Sequence, residues 1–267
     1  MTDYFQQKRV WVTGASSGIG EALAYELAER GAHLILSARN EAALQNVAAE
    51  ASRRDATDIL VQPLDLASHN SIPAIVEQVL KRVGKVDIVI HCGGISQRSL
   101  AAETSLEVDK RLMDVNYFGT VALTKALLPS MLMHQLGHIV VVSSLTGKFG
   151  TPLRSGYAAS KHALHGFFDS LRAELAHTPI RITIACPGFV RTQVSINALT
   201  GSGQPQGSMD EATANGISAE KAARKILRAT EHGKEEIWFG GKEVLGVYLK
   251  RFFPAYFSKV VARAKVT

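Results

Sequence analysis

Several protein classes are excluded by what the sequence contains little of. Its 267 residues include two cysteines, Cys92 and Cys186, which are too few for a disulfide scaffold. Eight prolines and a mean hydropathy of +0.05 exclude a disordered chain. No apolar run matches the roughly 20 residues of a membrane span, and the first ten residues lack the apolar core of a secretory signal. We therefore expect a soluble, cytoplasmic protein with reduced thiols.

Motifs of two other catalytic classes are also missing. The pattern Gly-x-Ser-x-Gly, which marks the nucleophile of many serine hydrolases, does not occur. His134 and His138 have the i, i+4 spacing of zinc ligands, but Gly137 breaks the helical pattern between them and no third ligand is evident. We predict no metal site.

The positive charge is concentrated at one end of the chain. The net charge is +6, and residues 242–267 hold six basic residues and one acidic residue, or +5. The other 241 residues therefore carry only +1. A nucleic-acid-binding protein needs a basic patch on its folded body, so we predict no nucleic-acid partner.

Short β-branched runs alternate with longer amphipathic segments along the chain. This alternation is typical of an α/β fold in which a parallel sheet is covered by helices on both faces. We predict one Rossmann-type doubly wound sheet of about seven strands in a single domain, residues 1–267. The predicted strands are 9–13, 33–37, 59–62, 86–91, 138–143, 181–185 and 236–239, and the predicted helices are 20–30, 41–54, 72–83, 106–133, 157–177 and 219–232.

A glycine-rich turn joins the first predicted strand to the first helix. Glycines at such a turn let the backbone approach a pyrophosphate, and the helix start offers N–H groups to the anion. A turn without any ligand is the alternative. The residues predicted to contact the cofactor here are Gly14, Ser16, Ser17, Gly18, Ile19 and Gly20.

Residues at the ends of the second, third and fourth predicted strands indicate which nucleotide is bound. An acid at the tip of the second strand would accept hydrogen bonds from the ribose of NAD, but Arg39 stands there and suits a 2′-phosphate. NADP(H) is therefore favoured over NAD(H). Asp65, followed by Leu66, either contacts the adenine or caps a helix. Gly93 has no side chain and lies at the same edge of the sheet, where a ligand could approach its backbone.

Three side chains near the fifth strand indicate the chemistry. Ser144 follows that strand, and Tyr157 and Lys161 are spaced i, i+4, which places them on one helix face. The Lys161 ammonium would stabilise the phenolate form of Tyr157. Ser144 would bind the substrate oxygen where charge develops.

Taken together, these motifs resemble the short-chain dehydrogenase/reductase family over nearly the whole chain. The family's TGxxxGxG turn corresponds to residues 13–20, and its Asn-Ser-Tyr-Lys tetrad corresponds to Asn116, Ser144, Tyr157 and Lys161. The resemblance implies that Tyr157 is the general acid in reduction and the base in oxidation. It also implies that Lys161 holds the nicotinamide ribose and that Asn116 binds a relay water. Val190 and Thr192, after Pro187-Gly188, would meet the nicotinamide carboxamide.

One motif departs from the family pattern. The usual Asn-Asn-Ala-Gly after the fourth strand is His91-Cys92-Gly93-Gly94 here. The resemblance therefore implies that the first asparagine's bracing of the backbone is absent, whereas the glycine contact to the adenosine is kept. We expect a slight effect on cofactor affinity and none on the chemistry.

The regions after the core are expected to set the substrate. Residues 4–190 form the predicted dinucleotide-binding and catalytic core, and residues 191–216 the substrate loop, which lacks cations from Thr192 to Asn215. This composition favours a neutral, lipophilic ketone or secondary alcohol, and residues 143–175 resemble the branch of 11β-hydroxysteroid dehydrogenases and related reductases. A 3-oxoacyl thioester reductase is one alternative, and an NADP(H)-binding sensor or scaffold without turnover is another.

The C-terminal extension, residues 243–267, is predicted to form two short amphipathic helices separated at Pro254. Their apolar stripes lie among five cations, which is compatible with contact to an anionic membrane. The alternative is that the stripes cover the substrate cleft or a subunit interface. The resemblance to the family also implies a homodimer or homotetramer. The cations are Lys250, Arg251, Lys259, Arg263 and Lys265.

Overall fold

Seven parallel strands form the central sheet of the protein. The computed structural model describes residues 3–54, 56 and 58–264. The strands follow the spatial order β3-β2-β1-β4-β5-β6-β9, which confirms the predicted doubly wound sheet. Their bounds are β1 Arg9–Thr13, β2 His33–Ser37, β3 Ile59–Val61, β4 Ile88–His91, β5 His138–Val142, β6 Arg181–Pro187 and β9 Glu236–Phe239, and a separate small pair consists of β7 Val190–Arg191 and β8 Ile217–Ser218.

Ten α-helices accompany the sheet in the part of the chain that the structure describes. They are α1 Gly18–Ala28, α2 Glu41–Ser52, α3 Ile72–Val83, α4 Leu106–Met113, α5 Gly119–Met133, α6 Ser155–Glu174, α7 Glu211–Ala214, α8 Ala219–Glu231, α9 Leu245–Phe252 and α10 Pro254–Val261.

The helix expected over residues 106–133 is not continuous. A wide π-helical turn, Asp114–Phe118, lies between α4 and α5. Within it the Asn116 side chain bonds to Ile95 outside the helix, and Thr120 donates its hydroxyl back to the Asn116 carbonyl. Polar contacts of this kind compete with regular helical hydrogen bonding, and apolar periodicity carries no sign of them. Wide turns of this type are frequent at functional sites.

Alternating strand residues build a core on each face of the sheet. Trp11 and Val89 lie in the cluster that α3, α5 and α6 cover. Val10 and Val12 lie in the opposite cluster, which α1, α2 and α8 cover. All four side chains are buried. Because both faces are covered, the central residues of the strands are mostly apolar, as is typical of parallel sheets.

The order of the parallel strands reverses between β1 and β4: β2 and β3 follow on one side of β1, and β4, β5 and β6 follow on the other. In such sheets the ligand site lies beyond the carboxyl ends of the strands at this switch point. Residues 14–20, Arg39, Gly93, Ser144 and Gly188 all follow strand ends at this edge. The topology thus collects the predicted site residues.

The C-terminal segment forms the two predicted helices, α9 and α10, on either side of Phe253. Val247 and Phe257 anchor them in the core, and the ring of Phe257 meets Phe149 edge-on at 5.1 Å. The predicted extension also included Lys265 and Val266, which lie outside the described residues. Within the described ranges, no helix has both the length and the apolar character needed to cross a bilayer.

Candidate functional site

A cleft of about 950 Å³ follows the carboxyl edge of the sheet. Ser144 and every residue predicted to bind the cofactor line it. Asn116 lies behind the wall and is fully buried. The predicted cofactor residues in this cleft are Gly14, Ser16, Ser17, Gly18, Ile19, Gly20, Arg39, Asp65, Leu66, Gly93, Tyr157, Lys161, Val190 and Thr192.

The glycine-rich turn is packed so closely that side chains would not fit at two of its glycines. Gly14 has a φ of +66°, and a Cβ on it would lie 2.7 Å from the Cα of Gly93. A Cβ on Gly20 would lie 2.2 Å from the Gly14 carbonyl oxygen. Ser17 precedes α1 without capping it through its side chain. The first N–H groups of α1 are therefore available to an anion.

Thr13 braces the segment after β4. Its Oγ1 accepts hydrogen bonds from the backbone N–H groups of Cys92 and Gly93 at 3.2 and 3.1 Å. The absence of the family's first asparagine predicts that this segment lacks bracing, and the Thr13 hydroxyl supplies it instead. This role of Thr13 was not predicted, although a hydroxyl at the last position of β1 is a visible signal.

Arg39 and Asp65 have different surroundings at the adenosine end of the cleft. Arg39 is exposed at the rim and has no ion pair within residues 3–54, 56 and 58–264. The Oδ1 of Asp65 accepts a hydrogen bond from the N–H of Ala67 at 3.0 Å, which is a local turn contact. Asp65 therefore does not cap a helix, since Ser68 and Ser71 precede the next two helical segments, and its carboxylate lines the cleft.

The hydroxyl of Ser144 is oriented by Thr146. Its Oγ accepts hydrogen bonds from the Thr146 N–H at 3.1 Å and from the Thr146 hydroxyl at 2.9 Å. Because both contacts use the oxygen as acceptor, the Ser144 proton is left to donate into the cleft. Thr146 was not identified from the sequence, since nothing distinguishes it from other loop hydroxyls.

Tyr157 and Lys161 lie in the first two turns of α6, as their spacing predicts. The Lys161 ammonium donates to the Val142 carbonyl at 3.0 Å and lies 5.8 Å from the centre of the Tyr157 ring. Burial of Lys161 without this carbonyl would be costly. The end of β5 thus fixes a positive charge beside the phenol.

Asn116 braces the segment after β4 through its side chain. Its Oδ1 accepts from the N–H of Ile95 at 2.8 Å, and its Nδ2 donates to the Ile95 carbonyl at 3.0 Å and to Ser160 Oγ at 2.9 Å. Ser160 in turn donates to the Tyr157 carbonyl at 2.8 Å. The amide therefore ties α6 to the cleft wall, a role that the tetrad spacing did not reveal.

A second cavity, of about 720 Å³, opens from the first beside Ser144 and Tyr157. Its walls are mainly apolar and aromatic, and α9 and α10 supply one side of it. The apolar stripes of the C-terminal extension thus line this cavity, and several of their side chains are also exposed at the surface. The lining side chains from these helices include Leu245, Tyr248, Leu249, Phe252, Phe257, Val260 and Val261.

Charged residues in this second cavity come from outside the cation-free loop. The guanidinium of Arg98 meets the carboxylate of Asp210 at 2.6 Å, and Arg154 lies 3.6 Å from the same carboxylate. Burial opposes ionisation of Asp210, but hydrogen bonds from Arg98 and Gln206 hold its pKa below the usual range. Burial also lowers the pKa of Arg154 to about 10. Loop composition alone therefore gave an incomplete account of the cavity.

The histidines considered for a metal do not meet. His134 is exposed, whereas His138 is buried and bonds Thr183 Oγ1 at 2.8 Å. A different group brings its ligand atoms within 4.8 Å of one another. It consists of His165 on α6, Cys186 on β6 and Glu236 on β9. The ammonium of Lys148 already pairs with Glu236 at 2.8 Å.

The two cysteines are separated as predicted. Cys92 follows β4, Cys186 lies on β6, and β5 runs between them. Both are free thiols. Burial raises the pKa of Cys92 to about 12 and raises that of Cys186 as well, so neither thiol is activated as a nucleophile.

Comparison with known proteins decides the family. The profile described as "short chain dehydrogenase" matches residues 8–202. The chain belongs to this family. "Dehydrogenase/reductase SDR family protein 7-like" from Drosophila melanogaster is 45% identical over 263 residues, 97% of this chain and 81% of the relative. "Dehydrogenase/reductase SDR family member 7B" from Xenopus tropicalis is 42% identical over 269 residues, 98% of this chain and 87% of the relative.

Solved structures agree with this membership of the short-chain dehydrogenase family. A family member from Burkholderia phymatum in complex with NAD has a TM-score of 0.84, covers 98% of this chain and 97% of its own, and at 23% identity shows the shared fold. An alcohol dehydrogenase from Thermococcus sibiricus complexed with 5-hydroxy-NADP has a TM-score of 0.76 and 27% identity, and the match covers 89% of this chain and 97% of that one. This chain is thus a nucleotide-binding oxidoreductase that acts on CH–OH or C=O groups.

Proposed function

We propose that the protein transfers hydride between NADP(H) and a lipophilic ketone or secondary alcohol. The supporting observation is that a polar cleft with a dinucleotide cradle meets a mainly apolar cavity at Ser144 and Tyr157. When bound, the nicotinamide supplies or accepts the hydride. Reactive groups at the junction of a cofactor cleft and an apolar cavity suit a substrate with a carbonyl on an apolar skeleton.

The side chains of this chain would handle the proton and the developing charge. Ser144 donates its hydroxyl to the substrate oxygen, and Tyr157 gives its proton to that oxygen in reduction or takes it in oxidation. Lys161, held by the Val142 carbonyl, stabilises the phenolate left on Tyr157. Asn116 supports the relay by fixing α6 to the cleft wall and, as the family resemblance implies, by holding a relay water.

Replacement of Tyr157 by Phe tests the reaction. We expect NADPH oxidation to fall at least about 100-fold because a positioned general acid contributes roughly that much, whereas NADPH binding stays within twofold. The substrate panel is a long-chain 2-alkanone, a 3-ketosteroid, retinal and 9,10-phenanthrenequinone. Tyr117→Phe is the matched control, since that ring makes packing contacts with Phe118 and Phe167. Undiminished turnover in Tyr157→Phe would refute the mechanism, and no turnover of any ketone by the wild type would favour a sensor.

The choice of NADP(H) rests on Arg39. Its exposed guanidinium stands at the tip of β2, where a 2′-phosphate would gain a charge-assisted hydrogen bond. Arg39→Asp is expected to weaken NADPH binding at least tenfold and to leave NADH binding unchanged or stronger, measured by fluorescence titration of each cofactor. Arg82→Asp, at an exposed position of α3, makes the same change in net charge away from the cleft and is the control. An equal loss for NADPH and NADH would exclude Arg39 from the choice.

Peripheral contact with an anionic membrane is the second part of the proposal. Leu245 and Phe252 are 67% and 68% exposed, and Phe253, Tyr256 and Val260 are exposed beside them. Lys250, Arg251, Lys259 and Arg263 are exposed as well, and no acidic residue occurs in residues 244–267. Apolar side chains among cations match the surface of an anionic bilayer.

Vesicle co-sedimentation tests this contact. Binding to vesicles with 30% phosphatidylserine and not to pure phosphatidylcholine supports it, and the double variant Phe252→Ser/Phe253→Ser should lose most of the binding. Leu106→Ser/Met133→Ser removes two exposed apolar side chains elsewhere and is the matched control. Equal sedimentation of all three proteins would contradict the proposal. A change of oligomeric state in the first variant without any vesicle binding would show a subunit interface instead.

A further inference from the structure

Gln97 caps the catalytic helix from a separate part of the chain. It is fully buried, and its Oε1 accepts hydrogen bonds from the N–H groups of Gly156 at 2.8 Å and Tyr157 at 3.2 Å. N–H groups in the first turn of a helix have no partner within the helix, and the residue preceding α6, Arg154, makes no side-chain cap contact. The amide oxygen of Gln97 therefore holds the backbone of Tyr157 itself.

The orientation of the Gln97 amide is fixed by its other end. Its Nε2 donates to Thr104 Oγ1 at 2.9 Å, and it lies 3.2 Å from Ser99 Oγ and 3.4 Å from Ser155 Oγ. Two N–H donors surround one end of the amide and three hydroxyl oxygens surround the other. A flipped amide would lose these contacts, so the oxygen faces α6.

The segment that carries Gln97 is also paired with the substrate loop. The N–H of Leu199 donates to the Ser96 carbonyl and the N–H of Arg98 donates to the Leu199 carbonyl, each at 2.8 Å. The Arg98 guanidinium holds Asp210 at the far end of the loop. One backbone strip, residues 96–98, therefore contacts the loop on one side and the start of α6 on the other.

We infer that Gln97 is a positioning residue that couples the placement of the substrate loop to the placement of the Tyr157 hydroxyl. The inference rests on the proposed function, in which Tyr157 transfers the proton. Loss of the Gln97 oxygen would release the first turn of α6, and displacement of a reacting group by about 1 Å can cost 100-fold in rate. The adenosine end of the cleft includes residues 16–20, Arg39 and Asp65, none of which is among the hydrogen-bond partners of the Gln97 side chain, so cofactor binding would be spared.

A matched pair of variants separates positioning from packing. Gln97→Met keeps the length and volume of the side chain without the oxygen. Gln97→Glu keeps an oxygen that accepts from both N–H groups, and the hydroxyls of Ser99 and Ser155 are placed to donate to the other oxygen. With 9,10-phenanthrenequinone as the probe ketone, we expect kcat to fall about 10- to 100-fold in Gln97→Met, with KM for NADPH within twofold. We expect Gln97→Glu to recover kcat to within about fivefold of the wild type.

Amide hydrogen exchange gives a second readout that does not need turnover. The N–H groups of Gly156 and Tyr157 should exchange at least tenfold faster in Gln97→Met than in Gln97→Glu. Near-wild-type kcat in folded Gln97→Met, or equal loss of kcat in the two variants, would overturn the inference. If Gln97→Met does not fold, Thr104→Val removes the nearest partner of the amide nitrogen of Gln97 and should lower kcat about threefold. An unchanged kcat in Thr104→Val would likewise overturn the inference. Failure of the wild type to reduce the ketone would count against the proposed function, while the exchange data still report on the cap.

Discussion

Consecutive serines at the end of β5 have different surroundings. Ser143 is buried, and its Oγ lies 3.0 Å from Nε2 of His165. Ser144 accepts both of its hydrogen bonds from Thr146 and lines both cavities. Side chains that alternate along a strand end explain why adjacent residues of the same type do different things.

Replacement of each serine by alanine separates these roles. Ser144→Ala is expected to lower kcat by about 100- to 1,000-fold, because removing one donor from a developing oxyanion has that order of effect. Ser143→Ala should change kcat less than threefold and act on stability instead. Steady-state kinetics with NADPH and a panel ketone measure both. Similar losses of kcat in the two variants would show that Ser144 has no special place at the reacting oxygen.

Two glycines give opposite expectations for the same substitution. Gly166 lies on the exposed face of α6 with nothing within 4 Å of an added Cβ. Gly166→Ala should therefore raise the free energy of unfolding by about 0.5–1 kcal/mol through helix propensity. Gly20→Ala should lower the free energy of unfolding and abolish NADPH binding, because the added Cβ would lie 2.2 Å from a backbone carbonyl oxygen. Urea denaturation and NADPH titration measure these effects, and a neutral Gly20→Ala would contradict the close packing of the turn.

Helices α9 and α10 each have one anchored side and one exposed side. Phe257 is buried in the core beside Phe149, whereas Phe253, between the helices, is 63% exposed. An aromatic side chain removed from a core leaves a cavity that its neighbours fill only in part. The stability of this region therefore depends on a few anchoring residues.

Phe257→Ala is expected to lower the free energy of unfolding by about 3–5 kcal/mol. Phe253→Ala should change it by no more than about 0.5 kcal/mol, as for other surface substitutions. Urea denaturation followed by tryptophan fluorescence compares them. Equal effects would mean that α10 is not docked as described.

For the molecule as a whole, buried neutral histidines should limit stability in acid. Burial lowers the pKa of His91 to about 3 and that of His138 to about 4. The ordinary pKa of an unfolded histidine is about 6.5, so the unfolded chain binds more protons between about pH 6.5 and 4. Stability is therefore present above about pH 6.5 and is lost as the pH falls through this window.

Each such histidine contributes a slope of about 1.4 kcal/mol per pH unit inside the window. His138→Gln, which keeps a donor for Thr183, should reduce the slope of unfolding free energy against pH by about that amount between pH 6 and 5. His177→Gln, on the surface, is the control. Urea titrations at several pH values provide the measurement, and an unchanged slope in His138→Gln would contradict the assignment.

The sheet and most of the site follow from the sequence because they depend on local patterns. Apolar periodicity predicts all seven strands of the main sheet, and residues 13–20 and the Tyr157–Lys161 spacing predict which strand ends form the cleft. Thr13 and Gln97 escape prediction because their partners are distant in the sequence, and Thr146 escapes it because nothing distinguishes it from other loop hydroxyls. Gln97, for example, bonds residues 59 and 60 positions away, and no local pattern records such a contact.

One carboxylate joins the last part of the chain to the reaction centre. Oε1 of Glu243 accepts from the N–H groups of Phe189, beside the Pro187-Gly188 turn, at 3.0 Å and of Gly241 at 2.9 Å. The residues that follow Glu243 wall the apolar cavity, while the cofactor cleft is built almost wholly from earlier ones. One wall of the apolar cavity and the whole cofactor cleft are thus separable along the chain. A graft of about 25 residues from a relative, joined at this carboxylate, would exchange that wall and leave the cofactor cleft unaltered.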